Sequence, residues 1–266
     1  MSLTPIGMET DMLLEGTSIV VTGGNSGIGK AIVLAAAAEG ANVVVDYRMH
    51  PEYTAEVLAA AGRSGGRAAG VEADVAYTED LHRVIQAAVE NFGRLDVLVS
   101  NAGIESRTSL LETSEADFDK VLAVNLKSAF FGAQFAAQQF MAQGSGGLIV
   151  TISSTHEDWP MPGNIAYCVS KGGAKMLTRT AGVELGSFGI RFVNIAPGAV
   201  STPINAVTEM DPELLSQLNM AIPLGRIARA AEIADVVVFL ASDKAGYLNA
   251  TTVTVDGGLS QSNVGL

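Results

Sequence analysis

The chain has 266 residues, 48% of them hydrophobic and 17% charged, with 29 Gly and 8 Pro, a profile that excludes a disordered or collagen-like polymer. Sixteen Lys and Arg against 28 Asp and Glu leave a formal net charge of −12, a field that repels nucleic-acid phosphates and anionic lipid, so neither is an expected partner. The lone Cys168 can form no internal bridge and no multi-cysteine metal site, and no metal is expected.

Residues 1–13 read as a flexible tail ahead of one folded domain over 14–266, long enough to bury a sizeable core without disulfides. That start carries Glu9 and Asp11 and lacks a basic n-region, so no signal peptide is expected. Apolar runs such as Ala31 to Ala38 fall well short of the roughly 18 residues of a membrane span. A cytoplasmic protein is the expectation. Short β-branched runs then alternate with longer Ala-rich stretches of helical period, which argues for βαβ units around a parallel sheet. Strands are predicted at Thr17 to Thr22, Asn42 to Tyr47, Ala68 to Glu72, Leu95 to Ser100, Gly147 to Ser153, Arg191 to Ile195 and Thr251 to Val255. Helices are predicted at Gly27 to Glu39, Pro51 to Ala61, Tyr77 to Phe92, Ser114 to Gln143, Asn164 to Ser187 and Ala230 to Ala241. The strands are continuous apolar runs, as expected where helices cover both faces. The fold class is therefore α/β: one doubly wound domain whose seven-stranded parallel sheet binds ligands at the carboxyl ends of its strands. The segment from about 198 to 223, with Pro203, Pro212 and the amphipathic patch ELLSQLNM, breaks the rhythm and reads as a mobile substrate lid.

The first strand runs into Thr22, Gly23, Gly24, Asn25, Ser26, Gly27, Ile28 and Gly29, then a helix. Glycines there allow a sharp turn that brings a helix N-terminus against an anion such as a pyrophosphate. Close packing alone could also account for such a turn. Asp74 and Val75 after the third strand, and Asn101, Ala102 and Gly103 after the fourth, lie on the same sheet edge, where they could hold an adenine and a ribose or serve as plain strand-end turns. Alternation along the second strand puts Asp46 and Arg48 on one face and Tyr47 on the other. Arg48 near the loop tip can pair with a 2′-phosphate, which predicts NADP as cofactor with NAD tolerated.

The fifth strand ends at Ser154, and a later helix carries Tyr167 and Lys171 four positions apart, hence on one face. An ammonium about 4 Å from a phenol at an effective dielectric near 20 is worth roughly 4 kcal/mol, which predicts a phenol brought down towards neutrality. Such a tyrosine is a general base for alcohol oxidation and a general acid for carbonyl reduction. Ser154 can hydrogen-bond the reacting oxygen, and Asn125 is the candidate to anchor a proton-relaying water and steady Lys171.

With these residues in place, the chain resembles the short-chain dehydrogenase/reductase family over nearly all its length. The resemblance rests on the Thr22-Gly23-x-x-x-Gly27-x-Gly29 turn, Asn101-Ala102-Gly103, Asn125, Ser154, Tyr167-x-x-x-Lys171, Pro197-Gly198 and Asp256-Gly257-Gly258. It implies a Rossmann-type fold, Asn125, Ser154, Tyr167 and Lys171 as the catalytic residues, and a nicotinamide ribose on Lys171. It further implies Pro197, Gly198, Val200 and Thr202 beside the nicotinamide, and a homotetramer. Ser100 stands where the family more often has Asn. Within the family, the runs Ser153 to Glu157, Asn101 to Glu105 and Gly198 to Ala206 look like the bacterial glucose 1-dehydrogenases, although Asp158 to Met161 departs from them. That resemblance implies a sugar substrate met by Ser154, Tyr167 and Asn205. Glu105 and His156 would add polar partners for its hydroxyls, or else serve a subunit contact and a loop cap. The alternatives are a 3-oxoacyl-(acyl-carrier-protein) or other carbonyl or polyol reductase, and a non-catalytic nucleotide-binding scaffold.

Overall fold

The computed structural model describes residues 12–262, so the tail expected over 1–13 lies outside the described residues except for Met12 and Leu13. The Leu13 N–H donates to Glu39 Oε2 at 3.0 Å, and Leu14 is buried.

Seven parallel strands form one sheet in the order β3-β2-β1-β4-β5-β6-β9. They are β1 (Ser18–Val21), β2 (Asn42–Tyr47), β3 (Ala68–Glu72), β4 (Val97–Ser100), β5 (Gly147–Ile152), β6 (Ile190–Pro197) and β9 (Thr251–Val255). A separate two-stranded pair, β7 (Val200–Ser201) with β8 (Ala228–Arg229), sits in the segment after β6. The order reverses between β1 and β4, which opens a crevice at the carboxyl edge where ligands of doubly wound sheets bind.

Strand alternation sorts the core into two layers. Ile19, Val21, Val43, Val45, Val97 and Val99 face one side and pack on α1 (Gly27–Ala38) and α9 (Ala230–Ala241), with α2 (Pro51–Arg63) beside them. Val20, Val44, Leu98, Ile149 and Phe192 face the other and pack on α3 (Thr78–Phe92) and α5 (Ser128–Gln143). Helix α6 (Ile165–Leu185) lies on that second side, where Ala181 and Leu185 meet the core. Both layers are apolar because a parallel sheet buried on two faces has no wet side.

Two expected elements take a different form. The helix expected over 114–143 is interrupted: α4 (Glu115–Leu122) passes through a single π turn (Ala123–Lys127) into α5. The segment expected as a long mobile lid is mostly helical, with a short 3₁₀ turn (Pro203–Asn205), α7 (Ala206–Met210) and α8 (Pro212–Ala221). No helix among the described residues is long and apolar enough to cross a membrane.

Candidate active site

The β1–α1 turn is shaped by close approach. A Cβ on Gly29 would collide with the Gly23 carbonyl oxygen and lie 2.5 Å from Asn101 Nδ2. Gly27 has φ +51°, a left-handed conformation that glycine adopts freely. Ser26 caps α1 with extended backbone but gives no side-chain bond, so the first N–H groups of the helix are left for another acceptor. Those donors, at the positive end of the helix dipole, fit an anionic nucleotide.

Thr22 couples this turn to the loop after β4. Its Oγ1 accepts the N–H groups of Asn101 (2.9 Å) and Ala102 (3.0 Å), while Asn101 Nδ2 donates to the Thr22 and Gly23 carbonyls. Sequence reasoning placed Thr22 at the head of the turn but gave it no role of its own. Asn25 is buried and spends its side chain on the β2–α2 loop, its amide donating to Met49 O at 2.7 Å and to Thr54 Oγ1 at 3.2 Å. Arg48 is half-exposed and pairs with Asp74 at 3.4 Å, so the basic residue and the carboxylate expected at the adenosine end meet each other. Val75 is buried beside them. On the far side of the crevice, Thr202 and Pro203 lie 3.6 Å from where a Gly27 Cβ would be.

Ser154, Tyr167, Lys171 and Asn125 converge as the spacing implied. The Ser154 side chain adjoins the Tyr167 phenol, and its Oγ accepts the His156 N–H at 3.2 Å. Lys171 Nζ lies 5.4 Å from the centre of the Tyr167 ring and donates to Ile152 O at 2.8 Å. Gly103 passes beside them: a Cβ there would sit in ordinary contact, 3.6 Å from Asn125 Oδ1 and 3.8 Å from Lys171 Nζ. Asn125, inside the π turn, is fully committed to protein: its side chain exchanges two 2.9 Å hydrogen bonds with the backbone of Ile104, and Nδ2 also donates to Ser170 Oγ. Ser170 in turn donates to Tyr167 O at 2.6 Å. Asn125 therefore steadies the β4 loop and α6 rather than bonding Lys171 through its side chain. Ser170, three residues past Tyr167, is the link that sequence reasoning missed.

The electrostatics correct one expectation. Burial pushes the Tyr167 phenol up to about 12, against the pull of the Ser154 hydrogen bond, and the Glu105 charge adds to the rise. The expected fall towards neutrality is not met, because burial sets the direction. Burial also brings the Lys171 amine down to about 8, against the nearby Glu157 and Glu105 charges. Desolvation acts on both partners at once: it disfavours the phenolate and weakens the cation meant to stabilise it.

Glu105 is paired with Arg107 at 2.8 Å, and Arg107 also donates to Ile204 O, joining the β4 loop to the segment after β7. The His156 ring stands edge-on to Tyr167, 6.4 Å between centres, with its Nδ1 3.1 Å from Trp159 O. Asn205 turns its amide inward, donating to Val200 O at 2.8 Å. Val200 is buried in the core, and Thr202 Oγ1 donates to its carbonyl. The Gly198 N–H donates to Val255 O, which ties the end of β6 to β9. Glu157 is buried, accepting from Asn194 and Thr252 with Lys175 alongside.

A family model described as Enoyl-(Acyl carrier protein) reductase matches residues 23–260. The chain is 40% identical over 247 residues to 3beta-hydroxysteroid dehydrogenase 1 of Eggerthella lenta, covering 93% of this chain and 95% of that protein. It is 37% identical over 248 residues to Glucose 1-dehydrogenase 2 of Bacillus subtilis, covering 93% and 96%. The chain belongs to the short-chain dehydrogenase/reductase family. A solved structure from Agrobacterium tumefaciens with bound NADP superposes with a TM-score of 0.88 at 33% identity, covering 96% of this chain and 100% of that one. The protein is accordingly an NAD(P)-dependent oxidoreductase with a Rossmann-type fold, acting on a small molecule.

Proposed function

We propose that the protein is an NADP-preferring dehydrogenase, tolerant of NAD, that moves a hydride between the C1 carbon of a sugar, glucose first, and nicotinamide C4. One observation carries this reading: the Tyr167–Ser154 hydroxyl pair, with Lys171 over the ring, opens on the same sheet edge as the uncapped start of α1. The glycine turn (Gly23, Ser26, Gly27, Ile28, Gly29) would hold the pyrophosphate, with Asn25 bracing it. Asp74, Val75, Asn101, Ala102 and Gly103 would line the adenosine side, Arg48 would meet a 2′-phosphate, and Pro197, Gly198, Val200, Thr202 and Lys171 would lie at the nicotinamide. The dinucleotide supplies the hydride acceptor or donor and, when oxidised, a positive charge.

The chain's own groups handle the proton. Tyr167, protonated at neutral pH, gives its proton to a carbonyl oxygen during reduction and is left as phenolate; in oxidation the phenolate would take the hydroxyl proton and return to the phenol. The Ser154 hydroxyl bonds the same substrate oxygen as its charge changes. Lys171 favours the phenolate while it carries its charge, and Asn125 positions α6 against the Gly103 loop. Glu105 and His156 beside Tyr167 offer polar partners to several hydroxyls, which favours a sugar. Exposed Trp159 and Ile204, which adjoin His156 and Arg107, favour a second reading in which the alcohol sits on an apolar skeleton such as a 3β-hydroxysteroid.

Initial rates with NADP⁺ and NAD⁺ across aldoses, polyols and 3β-hydroxysteroids test the substrate. Glucose should lead, and a response confined to steroids selects the second reading. Tyr167→Phe should lower kcat by about 10² to 10⁴ with cofactor Kd within about twofold, and retained turnover removes Tyr167 from the chemistry. The enzyme is further taken to be cytoplasmic and a homotetramer, the assembly supported by an exposed apolar line on α6, Val169, Met176 and Val183 at seven-residue intervals.

A further inference from the structure

Asp46, next to the end of β2, lies buried beneath the glycine turn at 2% exposure. Alternation puts it with Val44 on the α3 side of the sheet. Both of its oxygen-bearing groups hold the turn: Oδ2 accepts the Gly23 N–H at 3.0 Å and the backbone carbonyl accepts the Gly24 N–H at 2.8 Å. Oδ1 is buried with no hydrogen-bond partner.

The charged groups facing it come from the loop after β3 and from α3: Asp74, Asp80 and Arg83. Arg83 is already bound to Asp80 at 2.7 Å, and Arg48 is paired with Asp74. On the neighbouring strand, Glu72 stands opposite Tyr47 and is exposed to solvent. The turn itself, Thr22 to Gly29, contributes no titratable side chain. Each nearby cation is thus committed to another carboxylate, and a charged Asp46 would be a buried, unpaired anion directly under a phosphate-binding turn.

We propose that Asp46 is a positioning residue for the nucleotide: a neutral carboxylic acid that braces Gly23 and Gly24, and whose ionisation weakens the turn's hold on phosphate. This rests on the nucleotide reading of the turn. Burial raises the carboxyl from 3.8 to about 7, the Gly23 N–H opposes that rise, and Asp74 and Asp80 add to it. The sign follows from linkage. With the folded value above the unfolded one, the neutral form's contribution to stability is complete below about 4 and is lost as pH rises through about 7. A bound anion raises the carboxyl further, so nucleotide affinity falls as pH rises above about 7.

The test compares wild type with Asp46→Asn, whose amide stays neutral and keeps an acceptor for Gly23. Kd for NAD⁺, which lacks an ionising 2′-phosphate, is measured between pH 5.5 and 9 alongside Tm of the cofactor-free proteins. Relative to the variant, the wild type should lose about threefold to tenfold in affinity between pH 6 and 8.5, the effect of a rise of up to about one pKa unit on binding. Its Tm should fall against that of the variant over the same range. A Tm gap without an affinity gap overturns the positioning role, and neither gap overturns the proposal altogether. Absence of binding by the wild type at every pH defeats the nucleotide reading of the turn, and this proposal with it, whatever Tm does. Should Asp46→Asn not fold, calorimetry of the wild type near pH 7.5 in buffers of different ionisation enthalpy decides: NAD⁺ binding must take up protons, and zero uptake overturns the proposal.

Discussion

Tyr167 and Lys171 illustrate how one environment governs two acids. The i, i+4 spacing puts the amine within 5.4 Å of the ring centre, yet the phenol rises to about 12 while the ammonium falls to about 8. Desolvation outweighs a single cation that has itself been desolvated and has turned its proton towards Ile152 O. A phenol of that strength keeps its proton at neutral pH, the form that an acid needs. Arg48 is the counterpart at the other end of the crevice. Half-exposed and tethered to Asp74, it can turn to a 2′-phosphate at the cost of one weak surface pair. Arg48→Ala should raise KM for NADP by about tenfold or more, the worth of a charge-assisted hydrogen bond of roughly 1.5–3 kcal/mol, with KM for NAD within about twofold. Steady-state kinetics with both cofactors checks this, and equal effects would refute the 2′-phosphate role.

At the level of elements, the β1–α1 turn closes because the Gly23 carbonyl and Asn101 occupy the space that a side chain at Gly29 would fill. Gly29→Ala would drive a methyl group into the Gly23 carbonyl and Asn101, the contact that locks the turn to the β4 loop. We expect a loss of about 1–3 kcal/mol, a Tm lower by about 2–12 °C, and nucleotide Kd raised by at least tenfold. Calorimetry and cofactor titration measure both; an unchanged Kd would argue that the turn serves packing alone. The π turn at Ala123–Lys127 was illegible because its residues have ordinary helical character, and the extra residue shows up only in the hydrogen-bond ladder. Helices α7 and α8 were hidden behind Pro203 and Pro212, which read as loop punctuation. Pro212 in fact starts α8, whose N-cap Asp211 accepts the N–H groups of Glu213 and Leu214. A proline at a first helical position, directly after Asp, was the overlooked signal.

For the whole molecule, surface apolarity is what supports the proposed tetramer, against the mutual repulsion of chains at −12. Val169, Met176 and Val183 are 47%, 58% and 79% exposed along one line of α6, and Phe130 and Met141 are about half exposed on α5. Apolar stripes of this kind mark interaction surfaces. Val183→Glu with Met176→Glu should convert a tetramer into smaller species on light scattering. In a protein that is a monomer throughout, such surface changes would cost no more than about 0.5 kcal/mol each and leave its mass unchanged.

The parallel sheet, the strand bounds of β2, β3 and β9, the helix α9, and the set Ser154, Tyr167 and Lys171 were legible in the sequence because they depend on local patterns: apolar runs, helical period and residue spacing. The rest belongs to tertiary structure. That Asn125 spends its amide on Ile104, that Arg48 meets Asp74, and that the phenol is harder to ionise depend on which groups share a dry interior. Burial and charge pairing depend on residues distant in the chain, so no local window contains them.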